Sequence, residues 1–419
     1  MANEENQQNV SRRQFLGTGS AALVAMAGIP AAVAAAQETT PIRSADHHLK
    51  NETEPGPNNT TLDQQNPDSV WAPPTDSGGQ APFKYPFSFA RKRIESGGWT
   101  RQVTVRDLPV SKKMAGVEMR LIAGGVRELH WHVGAEWALM LYGSARITAV
   151  DQHGRAYIND VNEGDLWIFP GGIPHSIQGL GPDGCRFLLV FDDGNFNEFE
   201  TFLLTDWMTH TPPEVLAKNF NVPQATFDNV PKKELFIFAR DLPRPLAEEK
   251  RDVEAVTGAV PNSFDFSPSK MQPTKKTKGG EVKIVDRSVW PATNIAAALV
   301  TLKPGGLREL HWHPNEDEWQ YYVSGKGRMT VFAAGARART MDFEEGDVGY
   351  IDKTVPHYIE NTGDTDLVFI EMFPTPYYED ISLAEWLAHT PSRLVNQHIG
   401  VGEEMLRQIS KKEAVIVPE

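Results

Sequence analysis

The sequence contains a single cysteine, Cys185, among its 419 residues. One cysteine can neither form a disulfide within the chain nor supply a cluster of thiolate ligands. Positive charge is also scarce, because 41 Lys and Arg residues face 55 Asp and Glu residues and give a formal net charge of −14. This balance argues against nucleic acid or an anionic membrane as a partner. A small anionic substrate would need a local positive charge, such as a metal ion or an arginine.

Long apolar runs are scarce as well, and the clearest lies near the N-terminus. Ser-Arg-Arg-Gln-Phe-Leu at 11–16 precedes a weakly apolar, alanine-rich stretch that ends at Ala36. This pattern is typical of a twin-arginine export signal. We predict a signal peptide over 1–36 and a periplasmic or secreted protein without a membrane anchor after cleavage; an uncleaved anchor is the alternative. Residues 37–80 are polar and rich in Pro, Asn and Gly, which predicts an arm or linker.

A hexapeptide with two histidines occurs twice. Arg-Glu-Leu-His-Trp-His occupies 127–132 and again 308–313, an offset of 181 residues. Each copy is followed by Glu-Trp and, much later, by a Pro-His pair, and further matches extend to the end of each copy. A whole domain is therefore duplicated rather than a short repeat. We place an N-terminal domain at 81–231 and a C-terminal domain at 232–419.

Short runs of β-forming residues dominate each copy, with Gly, Asp and Pro between them. This pattern favours an all-β sandwich or small barrel, and such a barrel can enclose one small ligand. Helical patterns come at the end of each copy, at 202–209 and 213–219 and again at 382–388. The sequence therefore predicts two tandem β barrels, each followed by short helices.

The histidines predict a metal site in each copy. A His-x-His pair on a strand directs both imidazoles to one face, because side chains alternate along a strand. The Glu of Glu-Trp and the later histidine complete a set of three nitrogens and one carboxylate. The predicted ligands are His130, His132, Glu136 and His175 in the first copy and His311, His313, Glu318 and His357 in the second. Glu316 is a rival in the second copy, but alignment of the two Glu-Trp pairs favours Glu318.

A donor set of imidazole and carboxylate without sulfur suits Mn, Fe, Ni, Cu or Zn rather than Mg or Ca. Four protein ligands leave two adjacent positions open on an octahedral ion, which favours Mn(II) or Fe(II) over zinc. For each cluster, the alternative is a site that has lost its activity and only braces the barrel.

The spacing of these residues resembles the two motifs of the cupin superfamily. Residues 124–143 and 305–325 fit the first motif, and 164–175 and 346–361 fit the second, although Asp352 replaces an expected proline. The repeated hexapeptide and Phe-Asp-Asp-Gly-Asn-Phe at 191–196 are similar to the bicupin oxalate decarboxylases. The resemblance implies two cupin (double-stranded β-helix or jelly-roll) barrels. It also implies two manganese ions per chain, a need for dioxygen, conversion of oxalate to formate and CO2, and assembly into trimers or hexamers.

The same resemblance assigns roles to residues around the first site. Arg127 would bind oxalate, and Glu198 would be the proton carrier on a mobile lid. Family lids usually read Ser-Glu-x-Ser, whereas this chain has Asn-Glu-Phe-Glu at 197–200. Arg127 lies three residues before His130, so strict alternation would turn it away from the metal; a bulge near Gly124 would turn it back.

The second copy differs at two points. The loop between its last strand and its first helix is three residues shorter than in the first copy, so the longer, lid-like loop belongs to the first site alone. Glu371 stands where the first copy has Leu189. We predict that Glu371 and Arg308 border the second metal as catalytic residues. The remaining alternatives are an oxalate oxidase that makes CO2 and H2O2, another metal-dependent dioxygenase or isomerase, and a non-catalytic metal-binding bicupin.

Overall fold

The computed structural model describes residues 59–418. The predicted signal peptide, 1–36, and most of the predicted arm lie outside the described residues. Within the described part of the chain, no helix is both long and apolar enough to cross a bilayer.

The first half of the described chain builds one barrel. Ahead of it come α1 Thr60–Gln65, α2 Pro67–Val70 and β1 Lys84–Pro86. Its strands are β2 Arg93–Glu95, β3 Gly98–Val103, β4 Ala115–Leu121, β5 Gly125–Trp131, β6 Glu136–Val150, β7 Ala156–Asn162, β8 Leu166–Phe169, β9 His175–Gly179, β10 Cys185–Phe191 and β11 Phe202–Leu203. Two helices follow, α3 Leu204–Thr209 and α4 Pro213–Phe220.

A linker and a second barrel complete the chain. The linker holds β12 Ile237–Ala239, α5 Leu246–Thr257 and β13 Asp265–Phe266. The second set of strands is β14 Lys275–Thr277, β15 Gly280–Val285, β16 Ala296–Leu302, β17 Leu307–Trp312, β18 Glu318–Ser324, β19 Lys326–Ala333, β20 Arg337–Glu344, β21 Asp347–Ile351, β22 His357–Asn361, β23 Leu367–Phe373 and β24 Ile381–Ser382. The last elements are α6 Leu383–Ala388, α7 Ser392–Ile399, α8 Gly402–Gln408 and β25 Ile416–Val417.

Each barrel consists of two facing sheets. In the first barrel the 15-residue strand β6 belongs to both, pairing with β10 and β8 along one part and with β9 and β7 along the other. In the second barrel the same path is divided into β18 and β19 at Gly325, whose φ of 86° suits glycine. The prediction of two tandem all-β barrels with short helices after each is confirmed. Helix α5 was not among the predicted helices; its residues are largely polar and exposed, so it lacks an apolar stripe.

The Glu-Trp pairs explain how the barrels meet. Because side chains alternate along a strand, Glu136 points into its barrel while Trp137 points outward, and Glu318 and Trp319 do the same. Both tryptophans are fully buried in one apolar cluster that contains residues of both barrels. The approach is close: a Cβ on Gly116 would lie 2.4 Å from the Trp319 ring. One motif residue of each pair thus serves the site and the other serves the interface.

The segment that precedes the first barrel in the chain packs on the second barrel, and the linker that precedes the second barrel packs on the first. Strand β1 pairs with β21 of the second barrel, and α1 and α2 pack on β20. In return, β13 pairs with β8 of the first barrel, and α5 packs on β7. The predicted domains, 81–231 and 232–419, divide the chain by sequence order, whereas in space these segments cross over between the barrels.

Candidate metal centres

Two neighbouring strands carry the histidines of the first barrel. His130 lies in β5 directly opposite His175, the first residue of β9. His132 follows β5 by one residue, and Glu136 begins β6. One ligand atom from each of the four residues lies within 4.8 Å of the others, and all four side chains are buried. The structure therefore brings the four predicted ligands of the first copy together.

Backbone carbonyls determine which nitrogen each imidazole presents. A carbonyl only accepts, so each Nδ1 beside one carries the proton and each Nε2 keeps its lone pair. The Nδ1 contacts are His130 to Glu128 O at 2.6 Å, His132 to Gly134 O at 2.7 Å and His175 to Ile173 O at 2.7 Å. Three lone pairs thus converge beside the Glu136 carboxylate, as metal ligation requires.

The second barrel repeats this arrangement with the other four predicted ligands, which also lie buried within 4.8 Å of one another. Their Nδ1 contacts are His311 to Glu309 O at 2.7 Å, His313 to Glu379 O at 2.7 Å and His357 to Val355 O at 3.0 Å. The rival ligand Glu316 points elsewhere, since its carboxylate pairs with Lys113 Nζ at 2.7 Å.

The electrostatics of both clusters suit a cation. Burial would raise the pKa of Glu136, but the neighbouring side chains of His132 and His175 lower it to about 2. Burial also holds the pKa of His130 and of His311 well below the usual value, so both rings stay neutral. Several inward-facing atoms, among them His311 Nε2 and Glu136 Oε1, are buried without a hydrogen-bond partner. Neutral imidazoles, ionised carboxylates and unpaired inward atoms fit a divalent transition metal.

Comparison with known proteins agrees with this geometry. The cupin family matches residues 88–227 and 266–407. Oxalate decarboxylase OxdC of Bacillus subtilis is 50% identical over 86% of this chain and 93% of its own length. A probable oxalate decarboxylase of Arthroderma benhamiae is 41% identical over 86% of this chain and 90% of its own. A structure reported for the Mn(II) centres of the B. subtilis enzyme superimposes with a TM-score of 0.85 at 49% identity, covering 88% of this chain and 98% of the other.

The chain belongs to the bicupin oxalate decarboxylase family. The first site of this bicupin contains the two further residues singled out from the sequence. Arg127 Nε donates to Glu198 Oε1 at 3.0 Å, and both side chains are fully buried. Thr201 Oγ1 and the Phe236 carbonyl accept from the same guanidinium, at 3.0 and 3.3 Å. Burial raises the pKa of Glu198, and the charge of Arg127 opposes the rise.

The lid segment of the bicupin is a short 3-10 turn, Glu198–Glu200. Two side-chain oxygens accept hydrogen bonds from its backbone: Glu198 N donates to Gln102 Oε1 at 2.9 Å, and Phe199 N donates to Asn197 Oδ1 at 3.2 Å. Glu198 faces inward, whereas the other lid acid, Glu200, is exposed. The one buried acid of this predicted lid segment therefore lies against the arginine.

A bulge turns Arg127 inward, although not where we expected it. Between Arg127 and His130, strand β5 contains one more residue than the stretch of β9 that pairs with it. Leu129 is therefore exposed, while Arg127 and His130 are both buried. The predicted position was Gly124, a few residues earlier. The second barrel has the same shift between Arg308 and His311. The duplication thus preserves the bulge as well as the ligands.

The second site of the bicupin places Arg308 in a different network. Its Nη2 donates to Asp380 Oδ2 at 2.7 Å and to Tyr378 Oη at 2.6 Å, and its Nε lies 3.5 Å from Glu371 Oε1. Glu371 is fully buried, and burial raises its pKa to about 8. The structure thus brings Glu371 and Arg308 together, beside the second cluster. Sequence reasoning missed Tyr378 and Asp380, which come from an irregular loop without a periodic pattern.

Proposed function

We propose that this chain is a manganese-dependent oxalate decarboxylase that converts oxalate to formate and CO2 at its first site. The relatives carry that activity in their names, and a related structure holds Mn(II) centres. The observation that carries the assignment is the buried acid of the predicted lid: Glu198 lies against Arg127, and it is close enough to Glu136 for that carboxylate to raise its pKa.

Arg127 supplies the local positive charge that an anionic substrate needs in a protein of net charge −14. Its guanidinium is held by Thr201 and by the Phe236 carbonyl, so it keeps its position when Glu198 releases it. A fork of donors held in this way matches the geometry of a carboxylate. We infer that Arg127 binds one carboxylate of oxalate.

Manganese with dioxygen supplies the one-electron oxidation that weakens the carbon–carbon bond, and the ligands His130, His132, Glu136 and His175 would hold the ion. Glu198 accepts the acidic proton of hydrogen oxalate. After CO2 has left, the one-carbon radical that remains takes back the electron that was removed and receives a proton from Glu198, which gives formate. Burial raises the pKa of this carboxyl, which makes it a stronger proton acceptor for the substrate. A closed lid excludes water, which favours proton return over further oxidation.

The test is formate production by Glu198→Gln compared with Glu200→Gln. The two variants make the same change in one lid, at a buried and at an exposed acid. We expect Glu198→Gln to lose formate production by about 100-fold or more with its manganese content intact, and Glu200→Gln to stay close to the parent. Formate production near the parental rate in Glu198→Gln would overturn the assignment; a shift to peroxide would instead indicate oxidase chemistry.

We further propose that the protein assembles into trimers or hexamers. Large apolar side chains are exposed on the last strand of the first barrel and on the first helix after each barrel, including Phe202 at 51%, Trp207 at 64% and Trp386 at 56%. Exposed aromatic residues in this number favour a protein–protein contact. Light scattering of the purified protein distinguishes these assemblies from a monomer.

We also propose export by the twin-arginine route, on the strength of residues 11–36 alone. The expected result is a mature protein that starts near residue 37 outside the cytoplasm. Replacing Arg12 and Arg13 by lysine should leave the precursor inside the cell, and mass spectrometry of the two fractions checks this.

A further inference from the structure

The carboxylate ligand of the second site is held by a neighbour that the first site lacks. Gln320 Nε2 donates to Glu318 Oε1 at 2.5 Å, and Tyr322 Oη donates to Gln320 Oε1 at 2.9 Å. The three residues alternate along β18, so all three side chains point into the barrel, and all are buried. The tyrosine thus orients the amide, and the amide orients the metal ligand.

The first site has apolar residues at the matching positions. Ala138 and Met140 follow Glu136 at the spacing at which Gln320 and Tyr322 follow Glu318. Neither can donate a hydrogen bond through its side chain, and Glu136 Oε1 is buried without a hydrogen-bond partner. Its other oxygen faces His132 Nε2 at 3.3 Å and His175 Nε2 at 3.6 Å. The two clusters therefore share their ligands but not the support behind the carboxylate.

Neighbouring strands show that this difference is built into the packing. Ala138 pairs with Trp167 of β8, a buried ring of the first barrel's core. Gln320 pairs with Gly349 of β21. A Cβ on Gly349 would lie 3.0 Å from Gln320 Oε1. The first barrel thus pairs a small residue, Ala138, with a large ring, whereas the second barrel pairs Gln320 with a glycine. The glycine leaves space for the amide in the second barrel, and the tryptophan leaves none in the first.

Hydrogen bonds to a ligating carboxylate fix its orientation, and losing such a partner typically costs 10- to 100-fold in metal affinity. In the second site, Glu318 Oε1 is held by the amide, and Oε2 faces His313 Nε2 at 3.2 Å and His357 Nε2 at 2.9 Å. We propose that Gln320, oriented by Tyr322, is a positioning residue that fixes Glu318 and makes the second centre release its metal more slowly than the first. The inference depends on both clusters binding metal and not on the reaction proposed above.

The test is release of manganese from the fully loaded protein into excess EDTA, followed by EPR and by metal analysis of desalted samples. We expect the parent to release its two ions in two phases, the second at least about tenfold slower. In His175→Ala, which lacks a first-site ligand, only the slow phase should remain. This variant therefore assigns the slow phase to the second site.

Gln320→Met keeps the volume of the side chain and removes the amide. It should accelerate the slow phase by about 10- to 100-fold and leave the fast phase unchanged. Tyr322→Phe should act in the same direction with a smaller effect, and it decides the question if Gln320→Met does not fold. Met140→Leu, at the position that matches Tyr322, should change neither phase. The proposal is overturned if the parent releases both ions at one rate, or if the folded Gln320 and Tyr322 variants keep the parental slow phase.

Discussion

The two metal sites of this bicupin have the same set of ligands, three histidines and one glutamate, but differ in the side chains around them. Beside the first cluster, Arg127 pairs with one acid, Glu198, which lies on a short turn. Beside the second cluster, Arg308 is held by Asp380 and Tyr378 and faces Glu371. A duplicated domain can keep its metal ligands while one copy specialises in chemistry and the other in retention, because the surrounding residues, and not the ligands, set what each ion can do.

The largest effect should come from removing one ligand from each site in turn. His175→Ala and His357→Ala change equivalent residues, and each should lower manganese from about two ions per chain to about one. We expect formate production to disappear in His175→Ala and to persist in His357→Ala, because only the first site has the lid acid. Metal analysis and a formate assay on the same preparations check this.

The reverse outcome, with formate lost only in His357→Ala, would move the reaction to the second site. A thermal melt of each variant separates loss of a site from loss of the fold. Glu371→Gln gives a further comparison at the second site, since burial raises the pKa of Glu371 to about 8 and the neutral amide therefore resembles its protonated form.

The arginines should differ in stability. Arg308→Met leaves the Asp380 carboxylate buried without its cation, which we expect to cost about 3–5 kcal/mol in the free energy of unfolding. Arg127→Met leaves only Glu198 unpaired, on a short turn that can open to water, so the cost should be about 1–2 kcal/mol. Urea unfolding of both variants measures the difference.

Activity should follow the opposite order, with formate production lost in Arg127→Met and largely kept in folded Arg308→Met. If the two substitutions lower the free energy of unfolding equally, the contacts of Arg308 do not stabilise the protein more than those of Arg127.

The sequence predicted the ligands well because their spacing is local. His-x-His fixes two imidazoles on one face of a strand, and alignment of the two Glu-Trp pairs separated Glu318 from Glu316. Gln320 was also within reach, since it follows Glu318 by two residues on the same strand and must point inward. Its importance becomes clear only beside Gly349, which lies on a different strand of the sheet.

Other features depended on contacts between distant parts of the chain. Nothing in residues 59–86 indicates that they would pack against the second barrel, where Asp68 forms an ion pair with Arg328. Helix α5 was missed because its stability depends on the barrel it covers, where Glu249 pairs with Arg146 at 2.7 Å. The bulge in β5 was predicted from the need to turn Arg127 inward, but glycines nearby gave the wrong position for it.

The smallest effect should come from Phe236, whose ring lies over the Arg127 guanidinium at 4.3 Å. Val415 occupies the matching place in the second barrel: both residues have a positive φ, 55° and 60°, and both carbonyls accept from the arginine, at 3.3 and 3.4 Å. Because valine already adopts this conformation at 415, Phe236→Val should remove the ring without refolding the loop. A cation–π contact contributes about 0.5–2 kcal/mol, so kcat/KM for oxalate should fall about 2- to 30-fold, mainly through KM. Phe236→Tyr keeps the ring and should stay near the parent; if Phe236→Val also does, the Phe236 carbonyl and Thr201 position Arg127 without help from the ring.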